Sequence, residues 1–185
     1  MGEHMQPDGA MSVVLSQEDQ ETARLQKYEK SFVGSYLHSL DSKGRLVVPQ
    51  SFREELGKSF YIAPSKDFSY AALYPNLAWA RVRDRYARLG SLNPQLNIFL
   101  NQFDALSFRG QECDGQGRIL LPQRVREELL FGEKDVEITG ANDHVRIISL
   151  SRAKAAKESF QNNLPDILAQ IAELEKKLQA EGLIE

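Results

Sequence analysis

Cysteine is nearly absent. Cys113 is the single one in 185 residues, so no disulfide can close within the chain, which fits a reducing cytoplasm. Free cysteine usually packs as a small hydrophobe, and Cys113 reads as a buried strand residue rather than a nucleophile. Long apolar runs are absent too. Nothing approaches the roughly 18 residues that suggest a membrane span, and no charged-then-apolar leader opens the chain, so no membrane partner is expected. Histidine is scarce, and His4, His38 and His144 have no metal-ligand or triad partner at a telling spacing. His38, on a predicted strand with Tyr36 and Leu40 on its face, reads as structural. DSKGR at residues 41–45 lacks the GxxxxGK[ST] pattern of a phosphate loop. These absences argue against an enzyme: no catalytic residue, metal, cofactor or small-molecule substrate is expected.

Excess charge of either sign is small. The net charge is −3, and residues 1–30 carry all of it, with six acidic residues (Glu3, Asp8, Glu18, Asp19, Glu21, Glu29) against Arg24, Lys27 and Lys30. Residues 31–185 balance to zero. A neutral body can still present a basic face, so the overall charge neither supports nor excludes a nucleic-acid partner.

What the sequence has is one element written twice. DSKGRLVVPQSFREELG (41–57) returns as DGQGRILLPQRVREELL (114–130) at a fixed offset of 73. Nine of the first sixteen positions are identical, among them Asp41/Asp114, Gly44/Gly117, Arg45/Arg118, Pro49/Pro122 and Arg53/Arg126. Leu46/Ile119, Val47/Leu120 and Val48/Leu121 exchange one apolar residue for another. In each copy the pattern predicts a strand, a turn opened by Asp, and a second strand stopped by Pro. A short helix and two further strands follow, FYIA and YAALY in the first copy, DVEITG and HVRIISL in the second. Gly44 and Gly117 supply a positive φ within the turns, and Gly57 and Gly132 stop the short helices. A unit of about fifty residues buries too little surface to stand alone. The two copies are therefore expected to pack as a pseudo-symmetric pair around one barrel-like core.

The remaining segments read as helical or extended. Residues 1–31 form an N-terminal extension, expected to be mobile. Residues 32–75 and 105–150 hold the two copies. Residues 76–104 hold a helical insert. Its first helix is expected from a cap at Asn76 to a stop at Gly90, with Trp79, Val82, Tyr86 and Leu89 on one face. Its second is expected from Asn93-Pro94, with Leu96, Phe99, Phe103 and Leu106 inward. Arg81, Arg85 and Arg88 form a stripe that reads as a solvated face, with DNA or an acidic neighbouring subunit as alternatives. Residues 151–185 read as a helix capped by Ser151 and interrupted at Pro165. Leu164, Ile167, Ile171, Leu174 and Leu178 then step as a short heptad seam, expected against a neighbouring subunit or the chain's own body.

Each turn delivers an arginine at its exit, Arg45 or Arg118, and the first adds Lys43, replaced by Gln116 in the second. The guanidinium fork suits phosphate oxygens or the O6/N7 edge of guanine. It equally suits Asp41 and Asp114 across the turn, where it would only hold the fold. The residues leave both open.

Two Asp-x-x-Gly-Arg turns, each followed by an apolar trio, Pro and a short Arg-Glu helix, with NLAWARVRDRYARLGSLNP between them, resemble the MraZ family over about residues 32–160. The resemblance implies an α+β protein of two tandem AbrB-like, swapped-hairpin β halves, with a helical hairpin between them and a C-terminal helix after them. It implies a sequence-specific, DNA-binding transcriptional regulator of a division and cell-wall gene cluster. Such a protein would be cytoplasmic and nucleoid-associated, and would bind short promoter repeats as a ring-like homo-oligomer. Arg45, Arg118 and Lys43 would contact DNA, while Asp41, Gly44, Asp114 and Gly117 shape the turns. Val33 stands where the family pattern has Arg. The alternative reading is therefore a ring-forming assembly protein with weak or lost DNA binding.

Overall fold

Both copies of the repeat fold by the same local rules, in a computed structural model that describes residues 31–93 and 95–184. The extension expected to be mobile lies, apart from Ser31, outside these described residues. The first copy holds β1 (Ser35–Ser39), β2 (Arg45–Val47), α1 (Gln50–Leu56), β3 (Phe60–Pro64) and β4 (Ala71–Pro75). After α2 (Asn76–Leu92) and α3 (Leu96–Ala105), the second copy holds β5 (Phe108–Gln111), β6 (Arg118–Leu120), α4 (Gln123–Glu128), β7 (Asp135–Gly140) and β8 (Val145–Ser149); α5 (Leu150–Ala180) completes the chain. Pro49 and Pro122 precede α1 and α4 with φ of −52°, a torsion their rings fix, and neither offers an N–H to prolong the strand before it. Gly57 and Gly132 close these helices with positive φ, donating N–H to Arg53 O and Arg126 O.

The two copies are interleaved rather than stacked. A six-stranded antiparallel sheet runs β1-β7-β8-β4-β3-β5, and a separate two-stranded ribbon pairs β2 with β6. With β1 equivalent to β5, β3 to β7 and β4 to β8, the sheet order reads the same from either end. β1 pairs with β7 of the other copy and β5 with β3 of the other copy. The expected barrel-like core is corrected in one respect: the ladder is open, with β1 and β5 at its edges. β2 and β6 are three residues each, and the prolines that follow cannot donate to a longer ladder. Nor does β2 pair with β1 around its own turn; it crosses to β6. The repeat's matched apolar positions meet in the main core, where Leu46, Val48, Phe52 and Leu56 are buried together with Ile119, Leu121, Val125 and Leu129.

The insert has a second, aromatic core. Trp79 stacks on Tyr61 and on Phe103, and Tyr86 meets Phe99 and Phe103 edge-on. Asn76 is the first helical residue of α2 rather than its cap, since Pro75 occupies that place. Gly90 does not stop the helix, which continues to Leu92. Instead Gly90 admits α3, because a Cβ there would stand 2.9 Å from Cδ1 of Leu100. The expected start at Asn93-Pro94 lies partly outside the described residues. α3 begins at Leu96, and Asn93 Oδ1 accepts the N–H of Gln95.

α5 starts at Leu150, with Ser149 rather than Ser151 before its first turn, and runs through Pro165 without interruption. Proline's fixed φ is helical, and its loss of one N–H is tolerable where solvent reaches the exposed carbonyl. The helix is anchored at its start, where Ala153 is buried, Ser151 bonds to Glu133, and Arg152 lies 4.1 Å over the ring of Phe131. Further on, Ile171 and Leu174 are exposed, so the chain's own body does not cover this part of the seam. No helix among the described residues is long and apolar enough to cross a membrane.

Candidate nucleic-acid interface

The two Asp-Gly turns are built from their own backbone and one carboxylate each. Gly44 donates its N–H to Asp41 O at 2.9 Å, and Gly117 donates to Asp114 O at 2.8 Å. Oδ1 of Asp41 accepts the N–H groups of Lys43 and Arg45, both at 2.9 Å. Oδ1 of Asp114 accepts those of Gln116 and Arg118, also at 2.9 Å. An aspartate heading a turn satisfies donors that the strand ladder leaves free. The glycines take φ of +77° and +75°, where a side chain is strained.

The second carboxylate oxygen holds the arginine. Arg45 Nε donates to Asp41 Oδ2 at 2.7 Å. Arg118 gives both Nε, at 2.9 Å, and Nη2, at 2.7 Å, to Asp114 Oδ2. The ion pairs that the sequence leaves as one alternative are therefore formed. They do not consume the arginines: Arg45 keeps both Nη groups out of its pair, and Arg118 keeps Nη1. The hydrogen bonds from Arg118 hold the Asp114 carboxyl down to about 2, and Asp41 is lowered mainly by the backbone N–H of Arg45. Both carboxylates thus stay charged wherever the protein is folded near neutrality.

The ribbon brings the turns together. Arg45 stands opposite Leu120, Leu46 opposite Ile119, and Val47 opposite Arg118. Side chains alternate along a strand, so Leu46 and Ile119 enter the core while the other four share the outer face. Arg45 and Arg118 occupy diagonal corners of that face, and Val47 and Leu120 the other two, 42% and 58% exposed. Lys43 is exposed at the first turn, and Gln116 at the second. The middle member of each apolar trio, Val47 or Leu120, points outward while its neighbours Leu46, Val48, Ile119 and Leu121 are buried, as alternation along a strand requires.

A reciprocal contact locks the turns. Gly44 and Gly117 are buried, each under an arginine of the other copy's short helix. A Cβ at Gly44 would lie 2.7 Å from Cζ of Arg126, and one at Gly117 would lie 2.3 Å from Nη1 of Arg53. Arg126 Nε donates to Leu121 O at 3.1 Å, whereas the Nε of Arg53 is buried without a hydrogen-bond partner. Val48 N–H donates to Gly117 O and Leu121 N–H to Gly44 O, so backbone bonds tie each turn to the opposite strand as well.

Other candidate residues lie elsewhere. Arg81, Arg85 and Arg88 are exposed on α2, which packs on β3 and β4, and Arg88 pairs with Asp84 at 3.0 Å. His38 is half-buried on β1. His144 stacks on Tyr70 and contacts Asp143 at 2.8 Å. Cys113 lies beyond the end of β5 rather than on it, half-buried against the main core, and burial pushes its thiol up.

The chain is similar to known proteins over most of its length. The MraZ protein family, antitoxin-like by its description, matches residues 31–101. Three similar proteins each carry the name Transcriptional regulator MraZ. That of Desulforamulus reducens is 34% identical over 147 residues, covering 74% of this chain and 99% of the relative. That of Moorella thermoacetica is 38% identical over 124 residues, covering 65% and 82%. That of Carboxydothermus hydrogenoformans is 33% identical over 146 residues, covering 74% and 99%.

Proposed function

This chain belongs to the MraZ family, and from that premise we propose that it is a transcriptional regulator that binds promoter DNA through the outer face of the β2–β6 ribbon. The observation that carries the reading is the diagonal placement of Arg45 and Arg118 on one outward face, each fixed to the carboxylate of its own turn. A two-stranded ribbon is one of the two elements that the major groove of B-DNA admits. Arginines held on such a ribbon meet DNA without losing much side-chain entropy. Lys43 adds a phosphate contact on the first turn only. Asp41, Gly44, Asp114 and Gly117 set the turn geometry on which both arginines depend. A transcriptional regulator is not an enzyme, and no catalytic step is assigned.

The exchange of β1 and β5 between copies supports reading residues 32–75 and 105–150 as two AbrB-like swapped-hairpin halves. The helical insert at 76–104 joins them, and the helical segment 151–185 follows. One face with two arginines offers few contacts. A ring-like homo-oligomer on short promoter repeats would multiply them by avidity without new chemistry. The regulated genes in this reading are a division and cell-wall cluster, and the protein is nucleoid-associated. The assembly-protein reading has one observation in its favour: Val33, 72% exposed, removes a surface charge where the family pattern has Arg.

Fluorescence-anisotropy titration of the protein with a duplex of its own promoter, against a scrambled duplex of equal length, separates the two. Preferential binding of the promoter supports the regulator. Equally poor binding of both at low salt leaves the assembly protein. Sedimentation of the same sample as a monomer contradicts the ring.

A further inference from the structure

Val47 and Leu120 stand on the outer face of the ribbon, at the corners the arginines leave. The fold has no use for them there. Leu46 and Val48, with Ile119 and Leu121, already supply the trio's buried positions. Single exposed apolar residues are ordinary, but these two are placed by symmetry. Each is directly opposite the other copy's arginine and two residues along the strand from its own. Directly opposed side chains lie about 5 Å apart, and neighbours on one face of a strand about 7 Å apart. That longer spacing is about two base steps of a duplex.

Resting on the proposed DNA-binding reading, we infer that Val47 and Leu120 are specificity-determining residues that contact the C5-methyl groups of thymines beside the bases read by Arg45 and Arg118. The major groove displays two features that differ in kind: donor and acceptor atoms, and the thymine methyl. The ribbon face offers a matching pair of each, guanidinium and aliphatic side chain, in alternate corners. The apolar contact discriminates thymine from cytosine at positions where no hydrogen bond is made. Its two-fold arrangement gives each half of the face one apolar and one cationic reader.

The test uses the full-length protein and two versions of its own promoter duplex, one with thymine and one with every thymine replaced by deoxyuridine, which lacks only the methyl. Wild type should bind the deoxyuridine duplex about fourfold more weakly for each methyl contacted, from the burial of one CH₂-sized group. The Val47→Ala, Leu120→Ala double variant should bind the two duplexes alike, with unchanged thermal stability and unchanged sedimentation. A wild type indifferent to the methyl overturns the inference while leaving the DNA-binding reading intact. Equal losses in wild type and variant mean that the methyl acts through DNA shape, and also overturn it. A variant that changes its sedimentation shows the face to be a subunit contact, which overturns the inference as well. Failure of wild type to prefer its promoter over scrambled DNA removes the reading on which the inference rests.

Discussion

Arg53, on the short helix of the first copy, lies against Gly117 in the turn of the second, so closely that a Cβ on Gly117 would come within 2.3 Å of its Nη1. Arg126 and Gly44 repeat the relation in reverse. The repeat is thus more than a duplicated core: each copy's helix holds the other copy's arginine-bearing turn. Gly44 and Arg53 belong to one copy, and each finds its partner, Arg126 or Gly117, in the other.

Gly117→Ala should destabilise the protein by about 1–3 kcal/mol, since it forces a side chain into positive φ and into the guanidinium. Urea denaturation measures it. Adding Arg53→Ala should recover the steric part and leave the backbone part, so the double variant is more stable than the sum of the singles predicts. Strict additivity would show that the contact does not matter.

Arg45→Ala should weaken promoter binding by about tenfold or more, the scale of one lost bidentate base contact. It should barely move the melting temperature, because an Asp–Arg pair open to solvent contributes little to stability. Arg118→Ala should lose less, because Asp114 engages two of its nitrogens and no lysine stands beside it. Parallel titrations of the two variants check the order.

The Asp114 carboxyl should titrate near 2 in the folded protein, against an ordinary value of 3.8. A lowered carboxyl favours the fold fully above its unfolded value. That contribution is lost as pH falls from 3.8 through about 2. Asp41 shifts in the same direction. Carboxyl-carbon NMR titration reads both, and Asp114→Asn should flatten that part of the acid-unfolding curve. A midpoint for Asp114 at its ordinary value would contradict the hydrogen-bonded geometry.

Gly140→Ala should destabilise strongly. Its Cβ would fall 2.3 Å from the carbonyl carbon of Phe32 and 2.4 Å from Val33 N, both backbone atoms that cannot swing aside. Overpacking of this kind typically costs about 1–3 kcal/mol, and the rigid neighbour places this case at the upper end. Thermal denaturation compared with Gly115→Ala, where nothing lies within 4 Å, isolates the effect.

Much of this was legible in the sequence because local rules carry it. The glycine φ values, the proline stops and the buried apolar positions of the short helices follow from residue type and spacing. Where the strands go was not legible. A three-residue strand has no periodicity of its own, so nothing in Arg45–Val47 says that it leaves its own turn for Arg118–Leu120. The outward face of Val47 and Leu120, and the cover that Arg53 gives Gly117, depend on that crossing. The helix signals at Asn76, Gly90 and Pro165 misled for a related reason. Packing against Leu100, or solvent around an exposed proline, outweighed the local preference.

The most direct test of DNA binding by the ribbon is the salt dependence of promoter affinity in wild type and in the Arg45→Ala, Arg118→Ala double variant. Wild-type affinity should fall steeply and linearly on a logarithmic scale, because phosphate contacts release counterions. The double variant should bind more weakly with a shallower slope. Identical slopes and affinities for the two proteins would contradict the account.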